Sequence, residues 1–163
     1  MSGMKIVVAF LLCGWMMGQE REGPALHGIR LGESQKEAKQ QLARMGAFIR
    51  ADEGNEAWKL KNDPDADSIL VGFDADRRVR YVNLIAKADH ALKCAELGAN
   101  PKQNGGTGSI EFTNPVGDAD DHVLAIARGT SRDHLNMCAL KRVGAKSQED
   151  EEEEREHRER KKH

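Results

Sequence analysis

The chain has 163 residues, with 25 lysines and arginines against 27 aspartates and glutamates, and a formal net charge of −2. Nucleic-acid-binding domains carry a clear basic excess, so this balance argues against nucleic acid as a partner. The length suits one ordinary domain or two very small ones.

The N-terminal end has the pattern of a secretory signal peptide. Lys5 is followed by an apolar run from Ile6 to Met17, which is shorter than the roughly 20 residues that a transmembrane helix needs. We therefore expect a signal peptide over residues 1–18, export to the periplasm or the extracellular space, and no membrane span after cleavage. The alternative is a buried N-terminal helix. Cys13 suggests lipidation, but the preceding Leu12 is too large for that motif.

The first predicted element of the mature chain is a helix of about 12 residues. Ser34 and Glu37 have the spacing of a capping box, Ala38 and Leu42 fall on one helical face, and Gly46 ends the element. The helix begins a first helix-plus-sheet unit that we assign to residues 19–87.

Two short strands with a tight turn follow the helix. Phe48 and Ile49 begin the first, and Trp58 and Leu60 alternate with lysines in the second. Trp58 is expected in the core, with ligand stacking as the alternative.

The segment from Ser68 to Lys87 predicts a β-hairpin around the turn-like sequence DADR. Pairing residues whose numbers sum to 153 buries one face, which carries Ile69, Val71, Phe73, Val82, Leu84 and Ala86. The predicted outward face carries Leu70, Gly72, Asp74, Val79, Tyr81, Asn83 and Ile85. An antiparallel sheet commonly leaves one face to water or to a partner.

Residues 88–145 are read as a second, degenerate copy of this unit. At an offset of 52 to 54 residues, Trp58 falls on Ile110 and Ile69 falls on Val123, which places a second hairpin over residues 123–141. The stretch NPKQNGGTG, residues 100–108, reads as a loop. The alternative is a chance similarity between two halves of similar length.

Cys94 and Cys138 are the cysteines that remain after cleavage, an even number in an oxidising compartment. The repeat places Cys94 on a helix, at the position of inward Leu42, and Cys138 on a strand, at the position of Leu84. We therefore expect a disulfide between them. Two buried free thiols or redox chemistry are the alternatives.

No catalytic, cofactor or metal motif stands out. Asp63, Asp65 and Asp67 have the spacing of calcium ligands, but Ser68 occupies the position that needs glycine, so turn chemistry is preferred. The segment GDADD, residues 117–121, is interpreted in the same way. The histidines form no zinc motif.

The C-terminal tail, residues 146–163, holds eight acids, six bases and no apolar anchor. Acids precede bases, and pairs such as Glu151 with Arg155 have the favourable i, i+4 order. We expect a frayed, solvated helix or a disordered segment, with electrostatic docking as the alternative.

The segments GIRLGESQKEAKQQLARMG and AWKLKNDPDADSILVGFDADRRVRYV, which lie within residues 28–87, resemble the small bacterial envelope modules of the SmpA/OmlA type. The tandem resembles proteins of the β-lactamase inhibitor protein type. This resemblance implies an α+β fold with a helix packed on an antiparallel sheet.

We therefore expect an exported, monomeric, non-catalytic module that binds another envelope or secreted protein. The partner surface would be Leu70, Val79, Tyr81, Asn83 and Ile85. The alternatives are a small periplasmic enzyme or ligand carrier with a pocket between the two halves, and a structural envelope protein that docks through its tail.

Overall fold

The computed structural model describes residues 24–95, 102–104, 110–116, 123–144, and Glu153, Arg155 and Arg160 of the tail. The fold is α+β, as expected. In chain order the elements are β1 (Ala25–Leu26), β2 (Ile29–Arg30), α1 (Gln35–Met45), β3 (Gly46–Asp52), β4 (Asn55–Leu60), β5 (Ala66–Phe73), β6 (Val79–Ala86), β7 (Lys102–Asn104), β8 (Ile110–Val116), β9 (Val123–Ser131) and β10 (His134–Arg142).

The helix begins where the capping box predicts. The hydroxyl of Ser34 accepts a hydrogen bond from the backbone N–H of Glu37, whose carboxylate accepts one from the backbone N–H of Ser34. Ala38 and Leu42 are fully buried. Gly46 ends the helix and at once begins β3, because its extended backbone pairs with Leu60.

Eight strands form one antiparallel sheet in the order β3-β4-β5-β6-β10-β9-β8-β7. Each half is therefore a four-stranded meander, and the two meanders join through their last strands. At this seam Leu84 pairs with Cys138 and Tyr81 pairs with Lys141. Strands β1 and β2 form a separate small hairpin.

The β5–β6 hairpin has the predicted register at its centre, where Val71 faces Val82 and Gly72 faces Tyr81. The register then shifts, so that Phe73 faces Val79 and Arg80 is an extra, bulged residue. A bulge reverses the alternation of side chains beyond it. Val79 is consequently fully buried beside Phe73, and its assignment to the predicted outward face is wrong.

The core lies between the inner face of the sheet and the elements packed against that face. Inward residues of both meanders share one cluster with Ala38 and Leu42 of α1 and with Leu26 and Ile29 of the small hairpin. Five residues of the predicted inward face of the β5–β6 hairpin are buried, which confirms their assignment: Ile69, Val71, Phe73, Val82 and Leu84. Trp58 is 8% exposed and is a core residue, as expected.

The second half differs from the predicted copy at its start. Lys102–Asn104 is a strand, although this stretch reads as a loop. Leu92 makes a β-bridge to Leu135, and Cys94 lies in irregular structure. The expectation that Cys94 occupies a helix is therefore wrong.

The sulfur atoms of Cys94 and Cys138 form a disulfide, with their Cα atoms 5.7 Å apart. The bond attaches the segment after β6 to the inner face of β10, where Cys138 is buried. Disulfides persist in oxidising compartments, so this bond is consistent with such a location.

Two of the sequence predictions fall outside the described residues. The signal peptide over residues 1–18 and the GDADD turn over residues 117–121 lie there. The three described residues of the tail, Glu153, Arg155 and Arg160, have helical backbone.

Candidate functional site

The side of the sheet opposite to α1 presents a mixed surface, which we call the open face. In the first meander it carries Leu70, Tyr81, Asn83 and Ile85, and in the second meander it carries Leu124, Ile126, Met137, Ala139 and Lys141. The strand pairings place these side chains in rows, one of which runs Leu70, Asn83, Ala139, Ile126. The open face is thus continuous across both halves of the chain.

Tyr81 is held on the open face by Gly72. A Cβ atom at Gly72 would lie only 2.1 Å from Cε1 of Tyr81, so the ring lies directly over the glycine. The hydroxyl of Tyr81 donates a hydrogen bond to Oδ1 of Asn55, 2.7 Å away. The guanidinium carbon of Arg80 lies 5.2 Å from the ring centroid, within the range of a cation–π contact.

Burial raises the pKa of the Tyr81 hydroxyl above its usual value of 10.0, and the positive charge of Arg80 partly opposes this effect. The hydroxyl is therefore protonated at neutral pH, and its proton is engaged by Asn55. Tyr81 is the single tyrosine of the chain, which makes its titration directly observable.

A shallow depression of about 270 Å³ crosses the seam between β6 and β10 on the open face. We call it the seam depression. Its described lining consists of Arg80, Tyr81, Asn83, Ile126, Arg128, Met137, Ala139 and Lys141. It therefore combines three cations, one aromatic ring and a small apolar floor.

The three cations differ in their surroundings. The Nε group of Arg128 donates to a carboxylate oxygen of Glu111 on the neighbouring strand. Arg80 lies beside the Tyr81 ring, and Lys141 is exposed. Among the described lining residues none is acidic, but Glu111 at the edge of the depression neutralises Arg128, so the net positive charge comes from Arg80 and Lys141.

The structure divides the predicted partner residues into three groups. Tyr81 and Asn83 line the seam depression. Leu70 and Ile85 lie on the same face beside it, and Ile85 is 43% exposed. Val79 lies in the core.

The predicted partner surface did not include the residues of the second half that line the seam depression. Ile126, Met137 and Lys141 alternate with buried residues along β9 and β10, and this alternation is the signal by which they could be found. Ala139 is itself buried at 6% exposure. The approach of these residues to Tyr81 depends on the pairing of β6 with β10, for which the sequence holds no local signal.

Two buried carboxylates lie on the opposite side of the sheet. Glu56 is 3% exposed and accepts hydrogen bonds from the side chains of Gln35 and Trp58, while Lys39 lies 2.7 Å away. This arrangement anchors α1 to β4. It satisfies the buried charge, so a structural role accounts for Glu56.

Glu33 is 7% exposed, and one of its oxygens accepts a hydrogen bond from Nε2 of Gln41 at 3.0 Å. Burial raises the pKa of this carboxyl above 4.5, and the nearby charge of Glu37 acts in the same direction. Hydrogen bonds from the backbone of Arg30 and from the side chain of Gln41, together with the charge of Arg30, act in the opposite direction.

The aspartates before β5 form a turn. Asp63 accepts hydrogen bonds from the backbone N–H groups of Asp65 and Ala66, and His27 lies 3.3 Å from its second oxygen. His90 lies 3.4 Å from Asp65. Within the described part of the chain no group of three or more histidine, cysteine or acidic side chains is placed to hold a metal ion.

Comparison of the chain with protein-family models, with curated proteins and with solved structures gives no match. Among the described residues, no helix combines the length and the apolar character needed to cross a membrane.

Proposed function

We propose that this protein is an exported, non-catalytic module that binds another protein of the cell envelope through the open face. The observation that carries the proposal is the seam depression, in which apolar and cationic side chains of both meanders meet at the surface. The Cys94–Cys138 disulfide supports an oxidising compartment.

The open face has the composition of a small protein interface. Ile85 is a large exposed apolar side chain, and Met137 pairs with it across the seam. Arginine, tyrosine and methionine are enriched at interfaces, where an apolar centre is surrounded by a polar rim. Contiguous exposed apolar surface is a feature of binding sites, which supports the proposal.

A ligand carrier is the second candidate, because the seam depression lies between the two halves of the chain. Its volume of about 270 Å³ is slightly below the roughly 300–1,000 Å³ of typical small-molecule sites. The described lining offers no histidine, carboxylate, cysteine or serine for proton transfer or nucleophilic attack. These features favour protein binding over catalysis.

We also infer that the two meanders arose by duplication of one sheet unit. Leu70 pairs with Asn83 in the first half, and Ile126 pairs with Ala139 in the second. Each residue of the second pair lies 56 positions after its counterpart, so the predicted offset of 52 to 54 residues is wrong. The same offset relates the pair Ala57–Leu70 to the pair Thr113–Ile126.

Affinity capture from an envelope extract tests the protein-binding function. We expect Ile85→Gln to reduce capture of the specific partner, because it places an amide within the apolar strip. Ile49→Gln is the matched control, since Ile49 is 53% exposed on the distant edge strand β3. Equal capture by both variants, together with loss of capture after removal of residues 146–163, would refute the open-face proposal in favour of docking through the tail.

A further inference from the structure

The arrangement of the cations in the seam depression suggests the chemistry of its occupant. Lys141 pairs with Tyr81 at one end of the depression, and Met137 pairs with Arg128 at the other. Lys141 lies four positions after Met137 along β10, which corresponds to about 14 Å at roughly 3.4 Å per residue. Arg80 lines the depression and stacks on Tyr81, so it adds a second cation near Lys141.

Apolar side chains lie between the two cationic ends. Ala139 and Ile126 pair with each other across β10 and β9 at the middle of this span, and Met137 extends the apolar floor. One small anion cannot reach both ends of a 14 Å span, whereas an extended peptide of five residues covers it. Alternate side chains of such a peptide point to the same side.

We propose that the seam depression binds an extended acidic segment of the partner protein, with the pattern acid-x-aliphatic-x-acid. This inference rests on the proposed function and specifies the chemistry of the partner. One carboxylate binds Lys141 and Arg80, and the aliphatic side chain packs on Ile126 and Met137. The second carboxylate binds the Nη groups of Arg128 and shares this guanidinium with Glu111, to which its Nε donates, so the Lys141 end is the stronger of the two. Hydrogen bonds between guanidinium and carboxylate groups are among the strong polar contacts in proteins.

The acidic run of the chain itself, residues 149–154, is a competing occupant. It consists entirely of aspartate and glutamate and therefore lacks the aliphatic residue that the floor of the depression accommodates. For this reason we assign the depression to a partner rather than to the tail.

Fluorescence anisotropy with the full-length chain and a labelled peptide of sequence Gly-Glu-Ser-Leu-Ser-Glu-Gly tests the inference. We expect the peptide to bind, and replacement of both of its glutamates by glutamine to weaken binding by about tenfold or more, because hydrogen bonds between charged groups are stronger than those to neutral groups. Binding should also weaken as the salt concentration rises. A peptide with glycine in place of leucine should bind more weakly than the original.

Lys141→Glu should weaken peptide binding by about tenfold or more, and Lys141→Met, which keeps the apolar stem, should weaken it less. Lys61→Glu is the matched control, because Lys61 is exposed and lies after β4, away from the seam. Equal binding by Lys141→Glu and Lys61→Glu, or equal affinity for the glutamate and glutamine peptides, would overturn the inference.

A variant with all six acids of residues 149–154 replaced by glutamine identifies the occupant. Tenfold tighter peptide binding by this variant would show that the tail occupies the depression, and would overturn the assignment to a partner. If the peptide does not bind at millimolar concentration while Ile85→Gln still reduces partner capture, the open face binds a partner of different chemistry. The protein-binding function then stands and this inference fails.

Discussion

Replacing both Cys94 and Cys138 by alanine removes the bond that holds the segment after β6 on β10. The two residues are 44 positions apart in the sequence. For a loop of that length the chain-entropy relation gives a loss of about 4 kcal/mol at 25 °C, because the unfolded chain regains the freedom that the bond removed. Single domains have a free energy of unfolding of only about 5–15 kcal/mol, so the double variant should be only marginally stable.

Urea unfolding of the oxidised protein and of the double variant measures this difference. Wild-type protein unfolded in the presence of a reductant is the control, since it lacks the bond but keeps both cysteines, and it should lose a similar amount of stability. A loss below about 1 kcal/mol in the double variant would refute the reasoning. It would mean that the closed loop is already restrained in the unfolded chain.

Three other substitutions test side chains on the two faces of the sheet. Gly72→Ala should cost about 1–3 kcal/mol, because the new Cβ overlaps the Tyr81 ring, and urea unfolding should show a smaller cost when Tyr81 is alanine. Glu33→Gln should stabilise the protein at neutral pH but not well below pH 4.5, because burial raises the pKa of this carboxyl in the folded state. Glu56→Ala should cost about 1–3 kcal/mol and change the fluorescence of Trp58, whose indole N–H donates to that carboxylate.

Each of these predictions has a clear contrary result. An unchanged cost of Gly72→Ala in the absence of the Tyr81 ring would show that the ring contact is not the cause. The folded state binds the proton of Glu33 more tightly than the unfolded state does. The free energy of unfolding of the wild type therefore falls as the pH rises from 4.5 through the raised pKa. Parallel stability curves for wild type and Glu33→Gln would contradict this. Glu56→Gln retains an acceptor for Trp58 and should cost less than Glu56→Ala.

The local sequence pattern was sufficient to predict the helix and the centre of the β5–β6 hairpin. Ser34, Glu37 and Gly46 mark the two ends of α1, and caps of this kind act within one turn of the chain. The alternation of apolar residues from Ile69 to Phe73 determines which face of β5 is buried. Both signals depend on neighbours in the sequence, so the sequence alone is enough to find them.

The sequence predictions that were wrong concern features that depend on long-range packing. The bulge at Arg80 reverses the orientation of Val79, and simple alternation cannot show where a bulge occurs. Lys102–Asn104 is a strand because it pairs with β8, although its residues resemble a loop. Cys94 lies in irregular structure because the disulfide and the bridge between Leu92 and Leu135 hold that segment against β10.

For the candidate site, the sequence by itself determined that Tyr81 and Asn83 share a face and that a face of the β5–β6 hairpin can remain uncovered. Only the tertiary structure decided that β6 pairs with β10, which brings Lys141, Met137 and Arg128 to the same depression. The physical reason is that strand pairing between distant segments is selected by the packing of the whole core, whereas alternation along one strand depends only on which of its faces is buried.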